Sequence, residues 1–410
     1  MRLDIDKFRE IADSLVRNKS RSLLTGFGIF WGLFMLLFLV GGGAGLKEML
    51  MKNFEGFATN SVFLISSETT KPYKGFKEGR YWNLELNDID RLKNMMPELD
   101  VVSPTMARWG QTAVFGINST NCNIKGVLPD YAEIETPQLK YGRYINQTDI
   151  LQERKVCVIG KRIYTSLFPD GGDPCGSFIK VSDIYFQVIG VDFSSGNISI
   201  QGNADQAVVT PLPIVQKLFR RGNTVDVIGA TGKNGIKVSS LEGRIREILG
   251  RKHYFDPSDK PALFILNTEQ IFSIIDNLFR GLNFLVWLVG LGTILAGAIG
   301  VSNIMMVTVK ERTTEIGIRR AIGATPRSIL GQIIEESIAL TIMAGSAGIV
   351  FSVLILNLLE TITKHQATFQ INFWTAIAAV AALALLGAVA GLAPASRAMR
   401  IKPVDAMRDE

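Results

Sequence analysis

The residues that could do chemistry in this sequence are a glycine–lysine loop, two histidines, three cysteines and one charged segment between apolar runs. Gly229-Ala230-Thr231-Gly232-Lys233-Asn234 has the lysine that could reach a nucleotide's phosphates. A full phosphate-cradling loop also needs a glycine where Val227 stands and Ser or Thr where Asn234 stands, so it fails at both positions. His253 and His365 each lack a second histidine at ligand spacing, which leaves metal: none as the expectation. Neither a G-x-S-x-G elbow nor an H-E-x-x-H helix occurs. No catalytic residue is therefore expected, and no cofactor of its own; if ATP is used, another chain hydrolyses it. Cys122, Cys157 and Cys175 all fall in one segment, where an oxidising compartment permits a Cys157–Cys175 disulfide and the alternative is three free buried thiols.

The elements around these residues are set by charge-free runs. Residues 22–46, 281–309, 337–359 and 365–396 hold no Asp, Glu, Lys or Arg. At about 1.5 Å per residue, some 20 helical residues cross a hydrocarbon core of about 30 Å, so four membrane-spanning helices are expected and a soluble enzyme is excluded. The first run is too long for a signal-peptide core and no A-x-A site follows Gly41-Gly42-Gly43-Ala44-Gly45, so it reads as a retained helix. Arg and Lys accumulate before the first run, between the second and third, and after the fourth, which puts both termini in the cytoplasm. The resulting order is 1–21 interfacial amphipathic helix, 22–45 first membrane helix, 46–280 extracytoplasmic domain and 281–309 second helix. Then come 310–336 cytoplasmic segment, 337–359 third helix, 360–371 short outside loop, 372–394 fourth helix and 395–410 cytoplasmic tail. A net charge of +6 is then a signature of topology, and no nucleic-acid partner is expected.

The outside segment mixes short β-branched runs (61–65, 112–117, 155–159, 185–189, 207–210) with helical spacing at Ile89, Leu92, Met96 and at Leu241, Ile245, Ile248, Leu249. This is a large α+β domain, in two lobes with 141–206 the more β-rich. Leu46, Met49, Leu50, Phe54 and Phe57 repeat with helical spacing after the first run, as do Ile271, Ile274, Ile275 and Leu278 before the second. Either both stripes pack on their own domain, or they are a stalk that carries motion between membrane and domain. Inside the bilayer, Gly28 and Gly32, then Gly292, Ala296 and Gly300, and finally Gly387 and Gly391 recur at four-residue spacing that lets helices approach closely. With no Asp, Glu, Lys or Arg inside the runs, a proton relay or ion-coupled carrier is not expected.

Two cytoplasmic segments remain. Ile5, Phe8, Ala12 and Leu15 form an apolar face suited to the membrane interface, with lipid as partner. In 310–326 the sequence predicts a short helix closed by Gly323, with Thr325 as cap and Pro326 opening the next helix. That corner sets Glu315, Arg319 and Arg320 beside Ile316, Ala321 and Ile322, which suits either a charge-flanked loop held inside or docking in a partner's groove.

The string Glu315-Ile316-Gly317-Ile318-Arg319-Arg320-Ala321-Ile322-Gly323-Ala324 resembles the hallmark of the MacB/FtsX-type ABC transporter permeases, and it stands after the second of four membrane helices, as in that family. Residues 18–25 and 394–408 resemble the family's entry into helix 1 and its closing signature. Gly126–Tyr131, Gly142-Arg143-Tyr144 and Asp173–Gly176 resemble the MacB-type extracytoplasmic core. The resemblance implies a non-catalytic permease in a bacterial inner membrane, as a homodimer or with a paralogous permease, bound to a separate ATP-binding ABC ATPase subunit. Residues 315–324 would be its coupling helix, and ATP-driven closure would move the stalks and the outside domain. The macrolide-exporter prototype carries its ATPase at the N-terminus, whereas this sequence opens at the interfacial helix. Efflux with a periplasmic adaptor and an outer-membrane channel is the first reading implied. A lipoprotein-releasing (Lol-type) permease and an FtsX-like signalling protein controlling cell-wall hydrolases are the alternatives.

Overall fold

The computed structural model describes residues 19–400 apart from 53, 55, 195–199 and 364–366. The interfacial face of Ile5, Phe8, Ala12 and Leu15, the closing residues 401–408 and His365 lie outside the described residues. The described chain forms two compact units: Leu50–Asp276, and the helices up to Met49 and from Asn277 onward.

Helix α1 (Lys19–Lys52) leads into the first of these, whose framework is one ten-stranded sheet. Its strands in chain order are β1 (Ser61–Ser66), β3 (Leu99–Phe115), β4 (Asn118–Val127), β5 (Leu139–Gly142), β6 (Val156–Gly160), β7 (Phe178–Val181), β8 (Ile184–Asp192), β9 (Ala207–Pro211), β11 (Val227–Gly232) and β12 (Leu263–Asn267); β2 (Leu84–Glu85) and β10 (Thr224–Val225) form a separate ribbon. The spatial order is β12-β1-β11-β3-β4-β9-β6-β8-β5, with β7 bridging β3 and β8. Among the described residues only β4 with β9 and β6 with β8 pair in parallel; the other pairings are antiparallel. Strands from both parts of the segment join this one sheet, so the two lobes expected from sequence are a single layer, because β4 pairs across to β9 and β9 to β6.

Helices α2 (Leu86–Met95), α3 (Gln147–Leu151), α4 (Lys161–Leu167), α5 (Leu212–Leu218) and α6 (Glu242–His253) accompany the sheet. The spacing of Ile89, Leu92, Ile245, Ile248 and Leu249 buries one face of α2 and of α6 in the main core, with Val62, Leu64, Ile124 and Ile228. These two helices also share a buried charge: Asp88 meets Lys252 Nζ at 2.7 Å and His253 Nε2 at 2.9 Å. Burial alone would raise the Asp88 carboxyl, but its hydrogen bonds from His253 and Lys252 hold it below the usual carboxylate value. At the ends of the sheet segment, Ser61 and Thr268 are knotted: Thr268 Oγ1 takes the Ser61 N–H at 3.1 Å and donates to the Ser61 carbonyl at 2.8 Å.

The other unit is built from α1 and α7 (Thr268–Glu311), α8 (Thr313–Ala321), α9 (Pro326–Ile362) and α10 (Phe373–Met399). Four of these helices, all but α8, are long and apolar enough to cross a membrane. Leu33 and Leu37 of α1, Val301 and Met305 of α7, Ile333 and Leu340 of α9 and Leu383 of α10 share one core. Close packing of α10 on α9 uses glycine: a Cβ at Gly387 would stand 2.9 Å from Ile338 Cα, and one at Gly391 would stand 2.9 Å from Ser337 Oγ. The expected fold class, four membrane helices with a large α+β domain between the first two, is the one observed.

Candidate coupling corner

Helix α7 ends at Glu311, and Arg312 forms the joint to α8. At the far end, Gly323 takes φ +110, so that its N–H reaches the Arg320 carbonyl at 3.2 Å and the Ala324 N–H reaches Arg319 at 3.0 Å. That left-handed turn is open to glycine without the clash a Cβ brings. Thr325 then caps α9, its hydroxyl accepting the Ser328 N–H, and Pro326 opens the helix, where its missing N–H costs nothing.

This corner is braced from within. Arg312 donates to Glu336 of α9 at 3.2 Å, although Glu336 is only 8% exposed. Arg319 donates to Glu315 at 2.9 Å and to Gln332 at 3.0 Å, and Arg320 reaches the Met399 carbonyl at 3.0 Å. A small cavity of about 30 Å³ lies among Arg312, Glu315, Arg319, Gln332 and Glu336, with Met305 and Ile316 also lining it. Gly317, within the expected coupling helix, is buried with Ile316 inside the chain. The arginines likewise turn to their own helices. Ile318 (46% exposed), Ala321, Ile322 (83% exposed) and Gly323 face out, Glu315 is exposed at the edge and Ala324 is half-buried. The corner thus presents an apolar tip while its charges are held by partners within the chain. Sequence reading missed Gln332 and Glu336, which close the brace. Their only signal was a glutamate at the very edge of a charge-free run.

The other expected residues divide. Gly28 and Gly32 pack on α7, where a Cβ at Gly32 would stand 3.2 Å from Thr293 Cβ. Gly292 meets nothing within 4 Å and Ala296 is exposed, because α7 turns Gly290 and Gly297 toward α1 instead; Gly300 is half-buried. In the stalk stripes, α1 ends at Lys52, so Phe54 and Phe57 leave helical spacing: Phe54 packs edge-to-face on Phe272 at 5.3 Å and Phe57 on Phe63. Leu46, Met49, Ile274 and Leu278 are exposed and Leu50, Ile271 and Ile275 half-buried; over residues 271–279 of α7 the buried positions are Phe272 and Phe279, one residue round from the predicted stripe.

All three cysteines are free thiols, and the considered Cys157–Cys175 bond is not formed. Cys157 points into the core beside Cys122, whereas Cys175 lies against Gly142 on β5. Burial raises the Cys122 thiol to about 12 and that of Cys157 further. Burial and the neighbouring Asp173 raise Cys175 to about 11. Among the described residues no group of His, Cys, Asp and Glu could hold a metal ion.

Comparison with known proteins decides the family. Residues 22–248 match the MacB-like periplasmic core domain, and residues 287–403 match the FtsX-like permease C-terminal domain. The chain belongs to the MacB/FtsX-type permease family. It is 28% identical over 411 residues to the macrolide export ATP-binding/permease protein MacB of Bdellovibrio bacteriovorus, covering 99% of this chain and 62% of that protein. A MacB of Mannheimia succiniciproducens is 27% identical, with 99% and 61% covered, and the pyoverdine export ATP-binding/permease protein PvdT of Pseudomonas putida is 26% identical, with 96% and 58% covered. The chain thus spans about three fifths of the length of these relatives. Among solved structures, the periplasmic region of MacB from Actinobacillus actinomycetemcomitans covers 55% of this chain and 96% of its own length, at 21% identity and a TM-score of 0.43. The extracellular domain of the transporter YknZ from Gram-positive bacteria matches at 17% identity and TM-score 0.40, over 51% of this chain and 100% of that one. As a family member, the chain is a multi-pass membrane protein with a periplasmic-type domain between its first two membrane helices.

Proposed function

We propose that the chain is the permease of an ABC exporter in a bacterial inner membrane, with both termini cytoplasmic. It passes the motion of an ATP-hydrolysing partner to its periplasmic domain and expels a substrate from the periplasm. It holds no cofactor and does no chemistry of its own; ATP is bound by the partner, the chain works as a dimer with itself or a paralogue, and a periplasmic adaptor and outer-membrane channel complete the route. The relatives' names, which join an ATP-binding part to a permease and specify export, support this reading. The observation that carries it is the corner at 313–326: a rigid turn whose apolar tip, Ile318 and Ile322, is presented while its charges are held internally.

Co-purification of the full chain with its ATPase in detergent, together with N- and C-terminal reporters, tests the reading. Arg319→Glu with Arg320→Glu places like charge beside Glu315 and at the corner's mouth, so ATPase binding and substrate-stimulated turnover should be lost while both reporters stay cytoplasmic. Full-strength binding and turnover in a correctly inserted double variant would refute the coupling role.

A further inference from the structure

The glycine run 41–45 near the outer end of α1 plays no part in the corner, yet two of its members are filled. A Cβ at Gly41 would stand 2.6 Å from Leu356 Cδ1 of α9, and one at Gly45 would stand 2.7 Å from Phe369 Cγ, whereas Gly42 and Gly43 meet nothing within 4 Å. Phe369 and Ala367 belong to the segment joining α9 to α10. They are buried with Leu356 in a small apolar cluster of their own, with Phe38 and Ile371 against it. One turn beyond Gly45, Glu48 Oε2 accepts the Thr368 backbone N–H at 3.1 Å and the Thr368 hydroxyl as well.

A ring seated in a glycine notch resists sliding along α1, because the same-face neighbours are Glu48 and Met49 on one side and, on the other, Gly41, whose space Leu356 already fills. The double hydrogen bond to a carboxylate resists separation, charge-assisted bonds being about twice as strong as neutral ones. Both contacts sit at the far end of α9, a helix of 37 residues that starts at the capped corner. At about 1.5 Å per residue it is a rod of about 55 Å.

We infer that residues 367–371 are a latch tying the outer end of the α9–α10 pair to α1 at Gly45 and Glu48, so that α9 acts as a strut carrying motion from the coupling corner to the start of the stalk. Phe369, Thr368 and Glu48 are positioning residues: they act through α1 and touch no substrate. This rests on the proposed function, since the strut has work to do only if the corner is driven. It names a second route to the stalk besides the continuous helix α7.

The test uses the full chain with its co-purified ATPase in lipid nanodiscs, comparing hydrogen–deuterium exchange without nucleotide and with ATP plus vanadate. In the wild type, exchange should change both at 313–324 and at 46–52. Phe369→Ala and Glu48→Ala should keep ATPase binding and the change at 313–324 but lose the change at 46–52; Glu48→Gln, which still accepts from Thr368, should retain it. A change at 46–52 of wild-type size in both alanine variants overturns the latch. So does a segment 46–52 that already exchanges fully in the variants without nucleotide, which is what a merely structural tie predicts. No nucleotide response at 313–324 in the wild type overturns the coupling reading itself, and the latch with it.

Discussion

Ile322→Asp separates docking from folding. Ile322 stands at the C-cap of α8 with 83% of its surface open, so its side chain gives the chain little to lose. Fully burying an isoleucine is worth about 1.5–3 kcal/mol, and the open fraction of this one leaves roughly 2 kcal/mol for a partner to gain. Losing it corresponds to about 30-fold in dissociation constant, and the desolvated carboxylate adds to that. Arginine substitutions are less clean, because Arg319 is tied to Glu315 and Gln332, and Arg320 to Met399. The assay is a titration of the purified ATPase onto the full chain in nanodiscs, beside a thermal melt of the chain alone. An unchanged melt with binding weakened at least tenfold is expected. A change in affinity under about threefold would mean that the apolar tip is not the docking surface.

Gly387→Leu forces a side chain against Ile338 Cα at 2.9 Å and should cost about 1–3 kcal/mol, read as a lowered melting temperature in detergent, whereas Gly292→Leu, facing open space, should cost under about 0.5 kcal/mol. Asp88 has a folded value below its unfolded one near 4, so its stabilisation is complete above that value and disappears as pH falls through the lower folded value. Melts from pH 7 to pH 3 should therefore decline more steeply in the wild type than in Asp88→Asn, which starts lower; parallel curves would contradict the pairing with His253 and Lys252. With thiols raised by burial, Cys122 and Cys157 should resist maleimide at pH 7 until denaturation while half-buried Cys175 reacts slowly, and a linked 157–175 peptide in non-reducing mass spectrometry would contradict the free-thiol arrangement.

The membrane helices and the corner were legible because their signals are local: charge-free length, a glycine at the left-handed close, Thr325 before Pro326. Which face of a helix meets a neighbour was not. Gly292 and Ala296 have the spacing of a packing face, yet Gly290 and Gly297 make the contact, since small residues recur on several faces of α7 and only the partner helix selects one. Polar strands were also hidden. Asn118–Val127 opens with Asn, Ser and Thr and is absent from the β-branched runs, yet it lies between β3 and β9 and its second half is buried. The brace of Arg312 on Glu336 and the seat of Phe369 on Gly45 join residues far apart in the chain, and no periodicity reports such pairs.

The knot between Ser61 and Thr268 has a consequence for how such chains diversify. The sheet between these two residues leaves and returns at this hydrogen-bonded point, and the flanks touch it at a few further places, where Ala58 donates to Ile134, Thr136 to Gly56 and Ser239 to Glu269. A recombination event that kept these few contacts could lengthen, shorten or exchange the rest of the sheet and leave the helices on either side unaltered.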